Sequence, residues 1–181
     1  HRDLHSFPTR RSSDLDVFNS RCAPAIERYT GVVYEHISWS TLSEKAKDYM
    51  EKYIYIFSGL FGLLTPKTPI PDYKLKMNVL SLQHHWNPVL TETLKDEKVI
   101  VDLLPQVHRK AYQPNKDNVI PVDFQITNKG KKSAAGHFGK AVKGEFIRYI
   151  AENNITDIKS FSGFEYEGFK WDGTSFVKEN S

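Results

Sequence analysis

Basic side chains with the spacing of an anion-binding surface are concentrated near residue 140 of the sequence. Between Lys129 and Arg148 the only acidic residue is Glu145, so the local field is positive. Lysine and arginine side chains grouped in this way bind phosphate by charge and do not read bases. The candidate phosphate-binding residues in this window are Lys131, Lys132, His137, Lys140, Lys143 and Arg148, with Lys129 beside them.

Two elements must position these side chains. Residues 128–132 read as a hairpin turn in which Gly130 supplies the positive φ. A helix from Phe138 to Asn153 follows, and its free first-turn amides and dipole favour an anion. Lys140 and Lys143 are spaced to project together from it. The sequence predicts a grip on phosphate, with a merely solvated helix face and lysine turn as the alternative.

A glycine turn forms a second candidate contact. The run Ile54–Phe57 is typical of a buried strand, and Ser58 and Gly59 interrupt it before Gly62. Exposed amides at Gly59 and Gly62 would resemble the hairpin of a helix-hairpin-helix element, which holds phosphate with its backbone. The alternative is a strand-to-turn corner where glycine is needed because a side chain would clash.

A proline-rich arm follows the turn and carries a third basic group. Its three prolines fix φ and remove amide donors, which holds the backbone extended. In an extended segment Lys74 and Lys76 lie on one face. They are interpreted either as part of a cleft shared with the basic helix or as ordinary surface lysines on an edge strand.

Enzymatic chemistry has weaker support in the sequence. Asp102 ends an apolar run, where α/β enzymes often place a catalytic acid, and Asp102 or His137 would serve an enzyme acting on a phosphate-bearing small molecule or nucleotide. The adjacent His84 and His85 lack a further ligand at helical or hairpin spacing, although His108 is a distant candidate. The chain has no nucleophile elbow, P-loop or dinucleotide motif, so no catalytic residue, cofactor or metal is assigned.

The pattern of elements predicts one α/β (mixed α+β) domain, with a central mixed sheet flanked by helices. Thr41 and Glu44 form a capping box for a helix from Leu42 to Tyr53. Further helices are predicted from Val17 to about Pro24, from Asn87 to about Lys95 and within 105–112. Strands or extended segments are predicted at Gly31–Tyr34, Lys98–Leu104, Val119–Ile126 and, as an aromatic set with turns, Phe161–Val177.

Composition places the chain among soluble globular proteins. Its 181 residues are 39% hydrophobic and carry a net charge of +3, which permits nucleic-acid binding without arguing for it. The single Cys22 rules out an internal disulfide and favours a cytoplasmic location. No apolar run approaches the roughly 18 residues that span a bilayer, so no membrane association is expected.

The order of motifs resembles the YaaA-like peroxide-stress family. Ser58–Pro66 (SGLFGLLTP) and Pro71–Met77 (PDYKLKM) match that family's S-G-L-[YF]-G-[VL]-L-x-P and P-Y-[RK]-L-x-M blocks. The resemblance continues through Val99–Leu103, Gly136–Arg148 and Phe164–Phe169. It implies a DNA-binding protein, acting on duplex or branched DNA through a positive cleft and a helix-hairpin-helix, which limits damage by unincorporated iron.

The first residues are expected to be foreign to the domain. His5–Leu15 looks like a translated sequencing-adapter oligonucleotide, so residues 1–15 are interpreted as a disordered, non-native leader. A basic arm built on Arg10 and Arg11 is the alternative. Residues 16–178 would form the C-terminal two thirds of the YaaA-like chain, and 179–181 a tail. We expect the family's N-terminal part, where the helix-hairpin-helix could instead lie, to be missing.

Overall fold

The computed structural model describes residues 20–180, and side-chain burial for residues 20–179. The expected leader at 1–15, the start of the predicted helix at Val17 and the last residue of the tail lie outside this range. The described part is a mixed α/β domain with a five-stranded sheet flanked by helices. This architecture confirms the predicted fold class.

The described residues form six α-helices. They are α1 (Ala25–Arg28), α2 (Val32–Ile37), α3 (Glu44–Tyr53), α4 (Leu82–Thr93), α5 (Gln106–Arg109) and α6 (Gly136–Glu152). Short 3-10 segments occupy Trp39–Thr41, Lys116–Asn118 and Ile158–Gly163. Helix α6, with 17 residues, is the longest of them.

The largest sheet has the strand order β8-β7-β11-β10-β9. Its strands are β7 (Phe124–Asn128), β8 (Lys131–Ala134), β9 (Glu165–Tyr166), β10 (Phe169–Trp171) and β11 (Phe176–Asn180). Strands β7 and β11 are parallel, with Phe176 opposite Phe124, and the other pairs are antiparallel. The C-terminal strand therefore lies at the centre of the sheet, and the basic strand β8 lies at its edge.

Three strand pairs complete the fold. The first joins β1 (Ala23–Pro24) to β4 (Pro69–Ile70), and the second joins β2 (Ile56–Ser58) to β3 (Gly62–Leu64), both antiparallel. The third joins β5 (Ile100–Asp102) to β6 (Val119–Pro121) in parallel. Because parallel strands need a crossover, α5 lies in the connection between β5 and β6.

Helix α6 holds the main core together. Its apolar face packs against both α2 and the sheet, and Phe146 at its centre is fully buried. The Phe146 ring contacts four other phenylalanine rings, with centroids 4.7 to 6.4 Å apart: Phe124, Phe161, Phe164 and Phe176. Such edge-to-face and tilted contacts add to the burial of apolar area. A second, smaller core of Met77, Leu90, Leu94, Ala111 and Tyr112 attaches α4 to the β5 region.

Two segments fold differently from their predicted conformation. Gly31–Tyr34 was expected to be extended, because Val32 and Val33 favour strands, yet it forms the start of α2. Packing on α6 overrides this local preference. The helix predicted to end near Pro24 is also wrong: Ala23–Pro24 is strand β1, and α1 begins immediately after it.

Helix starts were also misplaced. Helix α3 is confirmed, but its N-cap is Ser43, whose Oγ accepts from the Ala46 amide at 3.2 Å. Helix α4 begins at Leu82, six residues before Pro88, which lies inside it. Asn87 caps nothing and donates to the Lys110 carbonyl at 3.2 Å. An Asn-Pro pair signals a helix start locally, but tertiary contacts set the boundary here.

Three of the predicted strand regions form strands with shorter bounds, but Phe161–Gly163, expected in the aromatic strand set, lies in the 3-10 segment Ile158–Gly163. The run Lys98–Leu104 contributes only β5, in which Asp102 is the one buried residue. Val119–Ile126 divides into β6, which ends at Pro121, and β7, which begins at Phe124. In the part of the chain that the structure describes, no helix is long and apolar enough to cross a membrane.

Gly144 gives a test of the α2–α6 contact. A Cβ at this position would lie 2.6 Å from the His36 Cβ and closer still to the Val33 carbonyl. Alanine normally favours a helix over glycine by about 1 kcal/mol. We expect Gly144→Ala instead to lower the free energy of unfolding by about 1–3 kcal/mol, because the helices must separate. Urea denaturation measures the change.

Gly139→Ala, on the same helix, is the matched control. The nearest atoms to a Cβ there would be the Cβ atoms of Ala135 and Phe124, at 3.1 and 3.2 Å, and no atom lies closer than 3.0 Å. It should cost less than the Gly144 substitution. A Gly144→Ala protein at least as stable as the wild type would show that the two helices are not in close contact.

Candidate nucleic-acid interface

The predicted hairpin is confirmed and displays its lysines. Lys129 and Gly130 have φ of 47° and 76°, which are the left-handed values of a tight two-residue turn between β7 and β8. Lys131 and every other residue of β8 are exposed. Within the described residues β8 pairs only with β7, so its second edge is open. This edge carries the first part of the basic surface.

Lys132 is partly neutralised by a carboxylate. Its Nζ lies 2.7 Å from Oδ2 of Asp172, in the turn between β10 and β11. That hydrogen bond, followed by those from the Thr174 and Ser175 amides, holds the pKa of the Asp172 carboxyl far below its usual range. The ammonium is half-exposed, so it remains accessible from solvent while its charge is shared with Asp172.

The first turn of α6 carries the second part of the basic surface. The helix begins at Gly136 with no side-chain cap and no acidic residue in its first turn. His137 and Lys140 are both exposed. Lys178 places its Nζ 5.3 Å from the centroid of the Phe138 ring, which adds a cation from β11. We define the basic face as Lys129, Lys131, Lys132, His137, Lys140 and Lys178.

Lys143 does not project with Lys140 as predicted. Its half-buried Nζ donates to the Leu103 carbonyl at the end of β5 and lies 5.8 Å from the Phe124 ring. Burial, together with the nearby Arg109 guanidinium, lowers the pKa of the Lys143 amine to about 8. Three residues after Lys140 the helix surface already turns toward the protein interior, which explains the difference.

Arg148 has a defined structural role. Its Nη1 donates to the carbonyls of Ile37 and Ser38, at 3.1 and 3.3 Å, and to Oγ1 of Thr41 at 2.8 Å. Glu152 pairs with its Nη2 at 3.6 Å. Arg148 thus satisfies carbonyl groups at the end of α2. Phosphate binding by this residue stays a prediction, and the guanidinium would have to leave these partners to make it.

The glycine turn is packed and not exposed. Gly59 and Gly62 are buried, and Ser58 Oγ accepts from the amides of Leu60 and Phe61 at 3.2 and 2.9 Å. A Cβ at Gly62 would lie 2.6 Å from the Trp86 ring. The turn joins strands β2 and β3, so it forms no helix-hairpin-helix. The expected exposure of its amides is wrong, and the corner with no room for side chains is correct.

Lys74 and Lys76 are exposed on a segment without regular secondary structure. Neither side chain forms an ion pair or hydrogen bond with the side chain or backbone of another described residue. Tyr73 between the turn and these lysines is anchored instead: its hydroxyl lies 2.5 Å from Ser58 Oγ and also contacts the Tyr29 hydroxyl. The arm is therefore fixed at Tyr73, and a shared cleft of Lys74 and Lys76 with the basic helix stays a prediction.

A buried polar cluster surrounds Asp102 at the end of β5. Asp102 is 5% exposed, and its Oδ2 accepts from the Tyr112 hydroxyl at 2.9 Å. Its Oδ1 accepts from the Leu104 amide at 2.7 Å. Arg109 lies 3.3 Å from the same carboxylate through Nε and 3.2 Å from Asp123 through Nη2. The hypothesis of an acid at Asp102 did not anticipate these partners.

Only the position of Arg109, seven residues after Asp102 on a predicted short helix, could have indicated the cluster from sequence. Burial, followed by the charge of Lys143, lowers the pKa of His108 beside this cluster.

His84 and His85 lie exposed on α4, with His85 against the Trp86 ring. The described residues contain no group of three or more His, Cys, Asp or Glu side chains placed to hold a metal ion.

Comparison with known protein families matches residues 5–175 to the family described as peroxide stress protein YaaA. The chain belongs to this family. The motifs around the glycine turn and the C-terminal strands therefore indicated the correct family. The match covers the Asp102 cluster and every residue of the basic face except Lys178.

Individual relatives of this YaaA-family chain carry the name UPF0246 protein. The one from Polynucleobacter asymbioticus is 30% identical over 175 residues, which is 88% of this chain and 67% of the relative. The one from Lactobacillus helveticus is 28% identical over 163 residues, 82% of this chain and 64% of the relative. The chain thus spans about two thirds of the length of the curated relatives it matches.

The Lys143 amine predicts a specific pH dependence of stability. Its pKa is about 8 in the folded chain and 10.5 as the ordinary value. Between these values the unfolded chain binds more protons, so this group makes the free energy of unfolding rise with pH. We expect Lys143→Met to lack that rise. Urea denaturation of both proteins from pH 7 to 10.5 measures it.

The informative quantity is the difference in unfolding free energy between wild type and Lys143→Met. Tyrosines that titrate in the same range contribute equally to both proteins and cancel. The difference should shift in favour of the wild type as the pH passes from 8 to 10. A difference that stays constant with pH would show that Lys143 is an ordinary solvated lysine.

Proposed function

We propose that this chain takes part in the peroxide-stress response by binding DNA through phosphate contacts, without sequence specificity. The observation that carries the proposal is the basic face. Residues 124–144 contain five lysines and no aspartate or glutamate, and four of those lysines are exposed. Membership of the peroxide stress protein YaaA family supports the stress-response part.

The geometry of the basic face suits a phosphate backbone. Lys131 on the open sheet edge and Lys140 at the start of the second turn of α6 flank the helix N-terminus. Three kinds of donor would act together: ammonium groups, the His137 imidazole and first-turn amides. None of them needs a base edge, so duplex and branched DNA would both be bound.

The predicted residues divide into two groups by their contacts. Lys131, His137 and Lys140 are exposed and make none of the side-chain hydrogen bonds formed among the described residues, so we assign them the primary contacts. Lys132 would also contact phosphate, although Asp172 balances part of its charge. Lys143 and Arg148 would act mainly by holding α6 in position, and Lys74 and Lys76 would extend the contact only where the DNA reaches the arm.

In the cell, this binding would belong to a cytoplasmic protein that limits iron-dependent oxidative damage under peroxide. Unincorporated ferrous iron converts peroxide to species that attack DNA, and a phosphate-bound protein would act where that damage occurs. Loss of DNA binding should then reduce survival in peroxide. Addition of a cell-permeant iron chelator should remove the difference.

Charge reversal on the basic face tests the DNA proposal directly. In Lys131→Glu/Lys140→Glu, fluorescence anisotropy with a labelled duplex should show an affinity lowered by on the order of tenfold or more at low salt. The slope of log affinity against log salt should also fall by about 1.8, since each lost contact contributes about 0.9.

Lys45→Glu/Lys98→Glu is the matched control, because it removes two exposed lysines outside the basic face. It should retain most of the wild-type affinity. Equal losses in the two double variants would mean that only net charge matters. Absence of binding by the wild type even at low salt would overturn the proposal.

A further inference from the structure

A groove between α4 and α5 lies apart from the basic face and has the second core, through Tyr112, as its floor. It is open to solvent and has a volume of about 550 Å³, within the range of small-ligand sites. Its lining includes His84 and Pro88 from α4, Arg109 from α5, and Lys110 and Tyr112 after it. No aspartate or glutamate lines it. Basic side chains from α4 and from the end of α5 therefore line the groove.

Arg109 is held in one orientation at the base of this groove. Its Nη2 donates to Oδ1 of Asp123 at 3.2 Å and to the Asp102 carbonyl at 3.3 Å, and its Nε lies 3.3 Å from Oδ2 of Asp102 without a hydrogen bond. Its Nη1 donates none of the hydrogen bonds made among the described residues. A guanidinium fixed in this way loses little further freedom when it binds a ligand. Lys143, close to Arg109, offsets part of the charge of the two carboxylates.

The groove wall beside Arg109 is also ordered. Asn87 donates to the Lys110 carbonyl at 3.2 Å, which ties the backbone carrying this lysine to α4. Lys110 itself is exposed, and so is His84 across the groove. The Tyr112 hydroxyl is occupied by Asp102 and its ring is buried in the second core, so Tyr112 forms the floor of the groove and leaves Arg109, Lys110 and His84 as its donors.

We infer that this groove binds a phosphate monoester. Arg109, through its free Nη1, and the exposed Lys110 and His84 provide donors for the phosphate. Three convergent donors suit a monoester, which carries up to two charges, better than a backbone diester with one. A free mononucleotide and the terminal phosphate of a DNA strand share this chemistry.

Isothermal titration calorimetry with AMP, adenosine and inorganic phosphate tests the inference. AMP should bind, adenosine should bind at least tenfold more weakly, and phosphate should compete with AMP. In Lys110→Gln/His84→Gln, both exposed positions, AMP affinity should fall by about tenfold or more. No AMP binding by the wild type, or equal affinity in this variant, would overturn the inference.

Two further arms separate the ligand source and the DNA proposal. A 5′-phosphorylated oligonucleotide that binds more tightly than its 5′-hydroxyl counterpart, only when Lys110 and His84 are intact, identifies a strand end as a ligand. Equal affinity for the two oligonucleotides assigns the groove to free mononucleotides. Lys131→Glu/Lys140→Glu should keep wild-type AMP affinity. A parallel loss of AMP binding there would contradict a separate site.

Discussion

Burial of the apolar face of α6 between α2 and the five-stranded sheet is the interaction on which the rest of the structure depends. Phe146, at its centre, contacts rings from β7, β11 and the Ile158–Gly163 segment. These segments are separated in sequence, so the helix is what makes them one core. Gly144 lets α2 approach closely enough to close the other side of the helix.

Fixing α6 in this way assigns a different task to each of its cations. Lys140, near the start of the helix, reaches solvent next to the edge strand β8. Lys143, one turn later, reaches across to the end of β5, where Asp102, Arg109 and Asp123 meet. Arg148 binds the last carbonyls of α2. One helix therefore presents charge to solvent at its start and uses charge for structure along its length.

The long amphipathic segments were predictable from sequence because their signals are local. The apolar stripe of α6, the Lys129-Gly130 turn and the motifs of the family all lie within short stretches of chain. The misassigned segments depend on distant partners. Val32 and Val33 favour a strand until α6 packs on them, and Asn87 resembles a cap until Lys110 accepts its hydrogen bond.

In the candidate site, too, some features follow from local sequence and others depend on distant partners. Exposure of Lys131 and Lys140 follows from the hairpin and helix alone, whereas the inward direction of Lys143 depends on where β5 ends. Burial of Gly59 and Gly62 likewise depends on Trp86 and on residues 75–77 packing over the turn. Sequence spacing gives the face of a helix, but not the neighbour that covers it.

The proposed DNA surface consists of the β8 edge and the N-terminal turns of α6. A backbone-amide NMR titration with a short duplex is the sharpest test of this assignment, since it reports each contact separately. We expect the largest shift changes to fall between Lys131 and Lys140, to diminish with added salt and to leave Gly59 and Gly62 nearly unchanged. Changes centred on the glycine turn, with residues 131–140 unaffected, would contradict it.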